Sequence, residues 1–195
     1  VHVETVRARN SAHFGHVAPH RHLQMAQITF WTSGSGNYQI EDTNWNFSAP
    51  TISFVPSTII HGFAIDADAD AVVISIADSL LKDIAVQPGL PLDSPIFFGG
   101  EPQHPTWQRL GATISTIAAE YAEAHPDGQA VLSGLIAVML SLVARLSANA
   151  PAAIASPRVA LAIRLRPAVD APYRPDGWVG QYVDRLGSAQ PPPAH

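Results

Sequence analysis

The chain contains no cysteine. Disulfides and thiolate chemistry are therefore excluded, and a cytoplasmic setting is the expectation. Long apolar runs are missing too. The longest candidate, Ala130 to Val143, is interrupted by Ser133, Gly134 and Ser141 and stops before Arg145. It is shorter than the roughly 18 residues of a membrane span, so it reads as a buried helix with no membrane partner. The first residues carry no signal-peptide pattern. Charge is sparse, at 14% of residues against 47% hydrophobic. In 195 residues that composition supports one good core, or one domain plus a helical extension.

The few charges are unevenly placed. Residues 1–157 hold six Lys and Arg against thirteen Asp and Glu, a balance of −7. Residues 158–195 hold five Arg against three Asp, a balance of +2. An acidic body with a basic tail points to a polyanion partner at the tail, or to an ordinary solvated helix face.

Helical patterning is absent from residues 1–77. Short alternating segments occur instead: His2–Arg7, Ile28–Trp31, Tyr38–Glu41, Trp45–Phe47, Ile52–Val55, Gly62–Ile65 and Ala71–Ile76. Turn chemistry separates them, as in Ser33-Gly34-Ser35-Gly36 and Asp42-Thr43-Asn44. Short strands at roughly ten-residue spacing predict a small barrel or sandwich over 1–83. The Pro- and Gly-rich stretch 84–105 reads as an irregular crossing.

The period then changes. Trp107, Leu110, Ile114, Ile117 and Tyr121 fall three and four apart, as do Leu132, Leu135, Met139, Leu142 and Leu146. These are two amphipathic helices joined near Pro126-Asp127-Gly128. The second apolar face is wide enough to pack on the body and still meet a partner helix, although core packing alone accounts for the stripe as well; 84–149 is assigned to the crossing and dimerisation helices. Residues 150–157 read as a linker, Arg158 to Tyr173 as a helix strained by Pro167, Gly177 to Leu186 as another short helix, and 188–195 as a disordered, Pro-rich tail.

The chemistry concentrates in PHRHLQMAQITFWTSGSG, Pro19 to Gly36. His20 and His22 stand two apart, which on a strand places both imidazoles on one face. Gln27 follows, and His61 opens another strand. Three histidines on one inner wall form a metal site for Zn, Fe or Ni, or a polar anchor in a metal-free ligand pocket. Trp31, Tyr38, Phe54 and Phe63 supply aromatic walls, with Phe30 and Trp45 as further candidates. Thr29 and Trp31 share strand parity with Gln27; Ile28 and Phe30 face the other way. Arg21 points outward, leaving Arg7 or Arg9 to meet a carboxylate if the N-terminal strand covers the barrel mouth. Asp66, Asp68 and Asp70 lack the glycine and distal glutamate of a calcium loop and read as a solvated turn. His13 and His16 line the mouth at most.

His20-x-His22-x4-Gln27-x6-Gly34 resembles the first cupin motif, with Gln27 where that motif has glutamate. Pro50-x5-Pro56-x4-His61 resembles the second, with Pro50 for its leading glycine, Thr58 for its internal glycine and Ile65 for its final asparagine. More narrowly, HVETVRARNSAHFGHVAPHRHLQMAQITFWTSGSG, SAPTISFVPSTIIHGFAID and AVVISIADSLL resemble the sensor domain of AraC-type transcription regulators, in the branch that answers hydroxybenzoate or hydroxyphenylacetate. ALAIRLRPAVDAPYRPDGWVGQYVDRLG, Ala160 to Gly187, resembles the opening of the DNA-binding domain of that family, as far as the first helix of its first helix-turn-helix. The family pattern then gives way to SAQPPPAH, at a natural stop or a cloning boundary.

The resemblance implies an α+β chain: a cupin-like, jelly-roll-type β-barrel followed by an antiparallel pair of dimerisation helices. It implies a non-enzymatic sensor that binds a small aromatic acid among His20, His22, Gln27, Trp31, Tyr38, Phe54, His61 and Phe63, with a homodimer through 105–147. DNA is reached only through a domain largely missing from this chain. The alternative is a metal-dependent cupin enzyme, a dioxygenase or isomerase, using His20, His22 and His61. Gln27 and the helical half weigh against it.

Overall fold

A computed structural model describes residues 1–7, 15–84 and 92–148. The chain divides into two compact units, Val1–Ile154 and Ala155–His195, and the described residues lie in the first. The expected linker, the 158–187 segment and the tail fall outside them, as do Arg9 and His13.

Nine strands form among the described residues: β1 (His2–Thr5), β2 (His16–His20), β3 (Met25–Ser33), β4 (Ser35–Ile40), β5 (Thr43–Ser48), β6 (Thr51–Val55), β7 (His61–Ile65), β8 (Asp70–Ala77) and β9 (Ile96–Gly99). Three helices lie wholly within the described residues: α1 (Asp78–Ile84), α2 (Pro105–Glu123) and α3 (Gly128–Ser147). The strands make two antiparallel sheets, ordered β1-β8-β3-β6-β9 and β2-β7-β4-β5. The tight β3–β4 turn depends on Gly34. Its φ is +73°, and a Cβ there would come within 2.4 Å of the Ala69 Cα.

The larger sheet is buried on both faces. Six consecutive residues of β3, Ala26 to Trp31, are buried. Their alternation survives as a choice between two cores. Trp31 and Val73 face inward and meet Tyr38, Ile40 and Phe47 of the smaller sheet. Ile28, Phe30, Ile52, Phe54, Ile74 and Ile76 face outward and meet Trp107, Leu110, Ile114, Met139 and Val143 of the helices. The expected α+β barrel followed by two helices is what the chain adopts.

The stretch 84–105 is not irregular throughout. Within it Ile96–Gly99 forms β9, pairing Phe54↔Ile96 through Thr51↔Gly99. The barrel therefore extends past residue 83. Ile96, Phe97 and Phe98 are all buried, so no alternation marks the strand. α2 starts at Pro105, where a missing N–H costs nothing, and the His104 side chain caps it by accepting from the Thr106 N–H at 3.2 Å. It ends at Ala124, which adopts φ +52°. α3 is 20 residues long and, by length and composition alone, apolar enough to cross a membrane, which the shorter run read from the sequence did not suggest. Its Leu132, Ile136, Met139, Leu140 and Val143 are instead packed into the helix-side core.

Candidate functional site

His61 opens β7 and is 1% exposed. Across from it stands His20, at the end of β2. That pairing depends on a local irregularity. His16 pairs with Ala64 and Val17 with Phe63, but the register slips by one before His20 meets His61. An unbroken ladder would have set Pro19 opposite His61 and turned His20 away. Such a bulge re-aims a side chain, and Pro19 is tolerated because β2 is an edge strand. Gly62 allows the close approach, since a Cβ there would lie 2.7 Å from the Val17 carbonyl oxygen. β2 stops at His20, so His22 belongs to the following loop rather than to a shared strand face. The three rings nevertheless converge. Their centroids lie 5.0 Å (His20–His22), 4.6 Å (His20–His61) and 5.5 Å (His22–His61) apart. One ring nitrogen from each falls within 4.8 Å of the others.

Gln27, on β3, joins this end of the barrel. Its Oε1 lies 3.1 Å from His61 Nε2, and its Nε2 donates to Ser75 Oγ at 3.3 Å. The other His61 nitrogen, Nδ1, is 3.0 Å from the Ile59 carbonyl oxygen. Burial pushes the His61 pKa down to about 4, with His20 and His22 adding to the effect and the Ile59 contact opposing it. A neutral imidazole has one N–H for two acceptors. With that N–H on Nδ1 and donated to Ile59, Nε2 presents a lone pair toward the Gln27 amide. Turning the amide over would let its NH2 donate to Nε2 and its oxygen accept from Ser75. As placed, oxygen faces nitrogen, an arrangement a cation between them would reconcile. His20 repeats the pattern, with Nδ1 3.0 Å from the Ala18 carbonyl oxygen. Fixing the far nitrogen on a carbonyl is how metal-bound imidazoles are oriented. The donor set therefore fits a divalent ion held by His20, His22 and His61, with Gln27 beside it.

The next level inward is aromatic. Trp31 lies 4.4 Å from Phe47, 5.2 Å from Phe63 and 6.3 Å from Tyr38, between ring centroids. Phe97 of β9 closes on Tyr38 at 5.4 Å and on Trp45 at 6.1 Å. Among these rings lie buried polar atoms with no hydrogen-bond partner among the described residues: Thr29 Oγ1, Ser53 Oγ, Tyr38 Oη, Trp31 Nε1 and Trp45 Nε1. Thr29 pairs with Ser53 across β3 and β6, one inward-facing step beyond Gln27. Burial pushes the Tyr38 pKa up, while hydrogen bonding to the nearby Ser53 and Thr29 hydroxyls opposes it; the three groups lie close together, but no pair of them reaches full hydrogen-bond geometry.

Of the expected residues, His20, His22, His61 and Gln27 form one cluster, and Trp31, Tyr38 and Phe63 form a second, aromatic one. Phe54 does not join them. It pairs with Ile28 and sits in the helix-side core, so it faces away from the barrel interior. Phe47, Phe97, Ser53 and Thr29 were not on the expected list. Thr29 was legible from its parity with Gln27; Ser53 and Phe97 required the register of β6 and the existence of β9. Arg7 is exposed and pairs with Asp70, and Arg21 is exposed. A separate groove of about 470 Å³ between β4, β5 and β7 is lined by Asn37, Asn46 and Asp66 among others, and includes no expected site residue.

Residues 2–151 match the family described as AraC-like ligand binding domain. No curated protein matches the chain. Similar solved structures include ToxT from Vibrio cholerae with bound unsaturated fatty acid, at 7% identity and a TM-score of 0.46, covering 86% of this chain and 62% of that one. They include the AraC-like transcriptional activator CuxR, at 12% identity and a TM-score of 0.40, covering 86% of this chain and 58% of that one. A predicted oxalate decarboxylase from Thermotoga maritima matches at 16% identity and a TM-score of 0.31, covering 38% of this chain and 80% of that one. The chain spans less than two thirds of the length of CuxR and of the fatty-acid-bound ToxT.

Proposed function

This chain belongs to the family of AraC-like ligand binding domains, and on that premise we propose that it is the effector-sensing and dimerisation part of an AraC-type transcription regulator, taking a small aromatic acid such as a hydroxybenzoate into its barrel. One observation carries the reading. Among the described residues, five buried hydroxyl and indole groups lack a well-formed hydrogen bond beside an aromatic cluster, with a polar histidine cluster that shares β7 with it. An apolar enclosure with a few converging polar groups suits a small, flat, oxygen-bearing ligand.

The fold supplies a route for the signal. β3, β6 and β8 present one face to the barrel interior and the other to α2 and α3. A ligand that displaces Trp31 or Thr29 also displaces Ile28 and Phe30, which pack on the helices. Because packed cores are close to solid, that shift biases helix packing, provided the ligand binds one packing better than the other. α3 offers the dimer surface. Val131 and Val138, 42% and 50% exposed, lie one above the other with Gly134 between them. DNA contact belongs to a domain that residues 158–187 would open.

A thermal-shift screen of mono- and dihydroxybenzoates tests the reading. A ligand at a hundred times its dissociation constant adds about 2.7 kcal/mol, which raises the melting temperature by roughly 5–10 °C. Val138→Asp should weaken the dimer in sedimentation without lowering the melting temperature of the ligand-free protein at low concentration. If no hydroxybenzoate shifts the melt, or if saturating ligand leaves dimer affinity unchanged, the proposal fails.

A further inference from the structure

We infer that the histidine end of the barrel is a divalent-cation site coupled to the acid effector: the ion and the carboxylate of the ligand bind as a pair, each supplying the charge the other lacks. This rests on the reading that the barrel binds a small acid, and goes beyond it by assigning the anchor.

The donor geometry comes first. His20, His22 and His61 bring three ring nitrogens within 4.8 Å of one another. The Nδ1 atoms of His20 and His61 are engaged with backbone carbonyls at 3.0 Å, leaving Nε2 as the coordinating atom of each. Gln27 is 5% exposed, and its oxygen sits 3.1 Å from His61 Nε2. Two lone pairs at that distance repel unless the amide is turned over or one cation is coordinated by both atoms.

Charge decides what else the site needs. The histidine group contains no carboxylate, and an amide is neutral. An ion held by His20, His22, His61 and Gln27 therefore keeps its full double charge in a setting where His61 and Gln27 are buried and His20 and His22 half-buried. Uncompensated charge there is costly, so an anionic ligand at the ion is strongly favoured. The acid has the converse problem. A carboxylate inside the barrel needs a counter-charge, yet the five described cationic side chains, Arg7, Arg21, Lys82, Arg109 and Arg145, are all exposed. Apart from a protonated histidine, the ion is the positive charge that the described inner wall can hold against the ligand. Coupling of this kind is reciprocal: whatever factor the acid contributes to ion binding, the ion returns to acid binding.

The experiment uses the full chain without a histidine tag, stripped with a chelator and titrated calorimetrically with Zn(II). Titrations are run with and without saturating 4-hydroxybenzoate, and the converse titrations with and without Zn(II). Each should tighten the other by the same factor, about tenfold or more. Phenol, which lacks the carboxylate, should show no such coupling. Gln27→Glu places an anion at the ion, so it should tighten Zn(II) binding alone and bring the coupling factor toward one. His20→Ala, at the end of an edge strand, should abolish Zn(II) binding with an unchanged circular-dichroism spectrum. Equal affinity for 4-hydroxybenzoate in chelator and in Zn(II) would overturn the pairing while leaving the effector reading intact. Zn(II) binding that ignores the acid would overturn it too. If the acid binds under neither condition, both readings fall.

Discussion

Replacing Thr29 by Val isolates the central physical claim about the barrel interior. Thr29 is 1% exposed, and its hydroxyl meets no hydrogen-bond partner among the described residues. A buried hydroxyl in that position costs about 1–3 kcal/mol of stability. Valine matches threonine in shape and is at least as favourable in a strand. Cavity and strain contributions are therefore small, and the desolvation cost is recovered. The Tyr38 hydroxyl loses the hydrogen-bonding influence of Thr29, which offsets part of the gain. The expected result is a stabilisation of about 1 kcal/mol, or roughly 2–4 °C in melting temperature for a unit of this size. Urea and thermal melts of the ligand-free protein measure it. The same variant should bind 4-hydroxybenzoate about tenfold more weakly, since the hydroxyl contributes about 1.4 kcal/mol when the ligand pairs with it. Opposite signs for stability and affinity are the signature of a polar group held ready for a ligand. A loss of more than about 1 kcal/mol in the ligand-free variant would show that Thr29 is already partnered, and the case for open hydrogen-bonding capacity in the barrel would collapse.

Three further outcomes follow from the geometry. His61 titrates at its ordinary 6.5 when unfolded but only at about 4 when folded. The unfolded chain therefore binds more protons between those values, so in chelator stability should fall by up to about 3 kcal/mol as pH drops from 6.5 to 4, with no further His61 contribution below. His61→Gln should flatten that slope, and an unchanged slope would assign it elsewhere. Phe54→Ala should cost about 3–5 kcal/mol, as expected for a void in the helix-side core, yet leave the hydroxybenzoate affinity of the folded protein intact; calorimetry showing weaker binding with normal stability would contradict its assigned face. Gly62→Ala should loosen β2 from β7, because the new Cβ meets the Val17 carbonyl oxygen at 2.7 Å. Faster amide exchange at Val17 and Phe63 together with weaker Zn(II) binding would report it, whereas unchanged exchange would show that the strands accommodate the methyl group.

Much of the molecule could be read before folding. The two helices stand where the three-and-four spacing places them, because a helix repeats its face within its own sequence. Along β3 the alternation separated Gln27, Thr29 and Trp31 from Ile28 and Phe30, and the two sets enter different cores. His20, Gln27 and His61 were recognisable as a group from spacing and residue type. Phe54 shows the limit of the same logic. Parity sorts residues within a strand, but only register relates one strand to the next. Once Phe54 lies opposite Ile28, and Ser53 opposite Thr29, it is Ser53 that enters the barrel.

Composition and short-range pattern, then, determined by themselves the absence of thiol chemistry, the change from strand to helix period and the polar end of an aromatic barrel. These are local properties, set by which side chains exist and how often they repeat. Tertiary structure alone decided the rest. The slip between Val17 and His20 turns His20 toward His61, β9 brings Phe97 onto Tyr38, and pairing leaves five polar atoms inside the barrel without a well-formed hydrogen bond among the described residues. Each depends on the position of one strand relative to another. That position is set by the summed burial of both faces of a sheet and by where backbones can approach, a quantity no single segment carries.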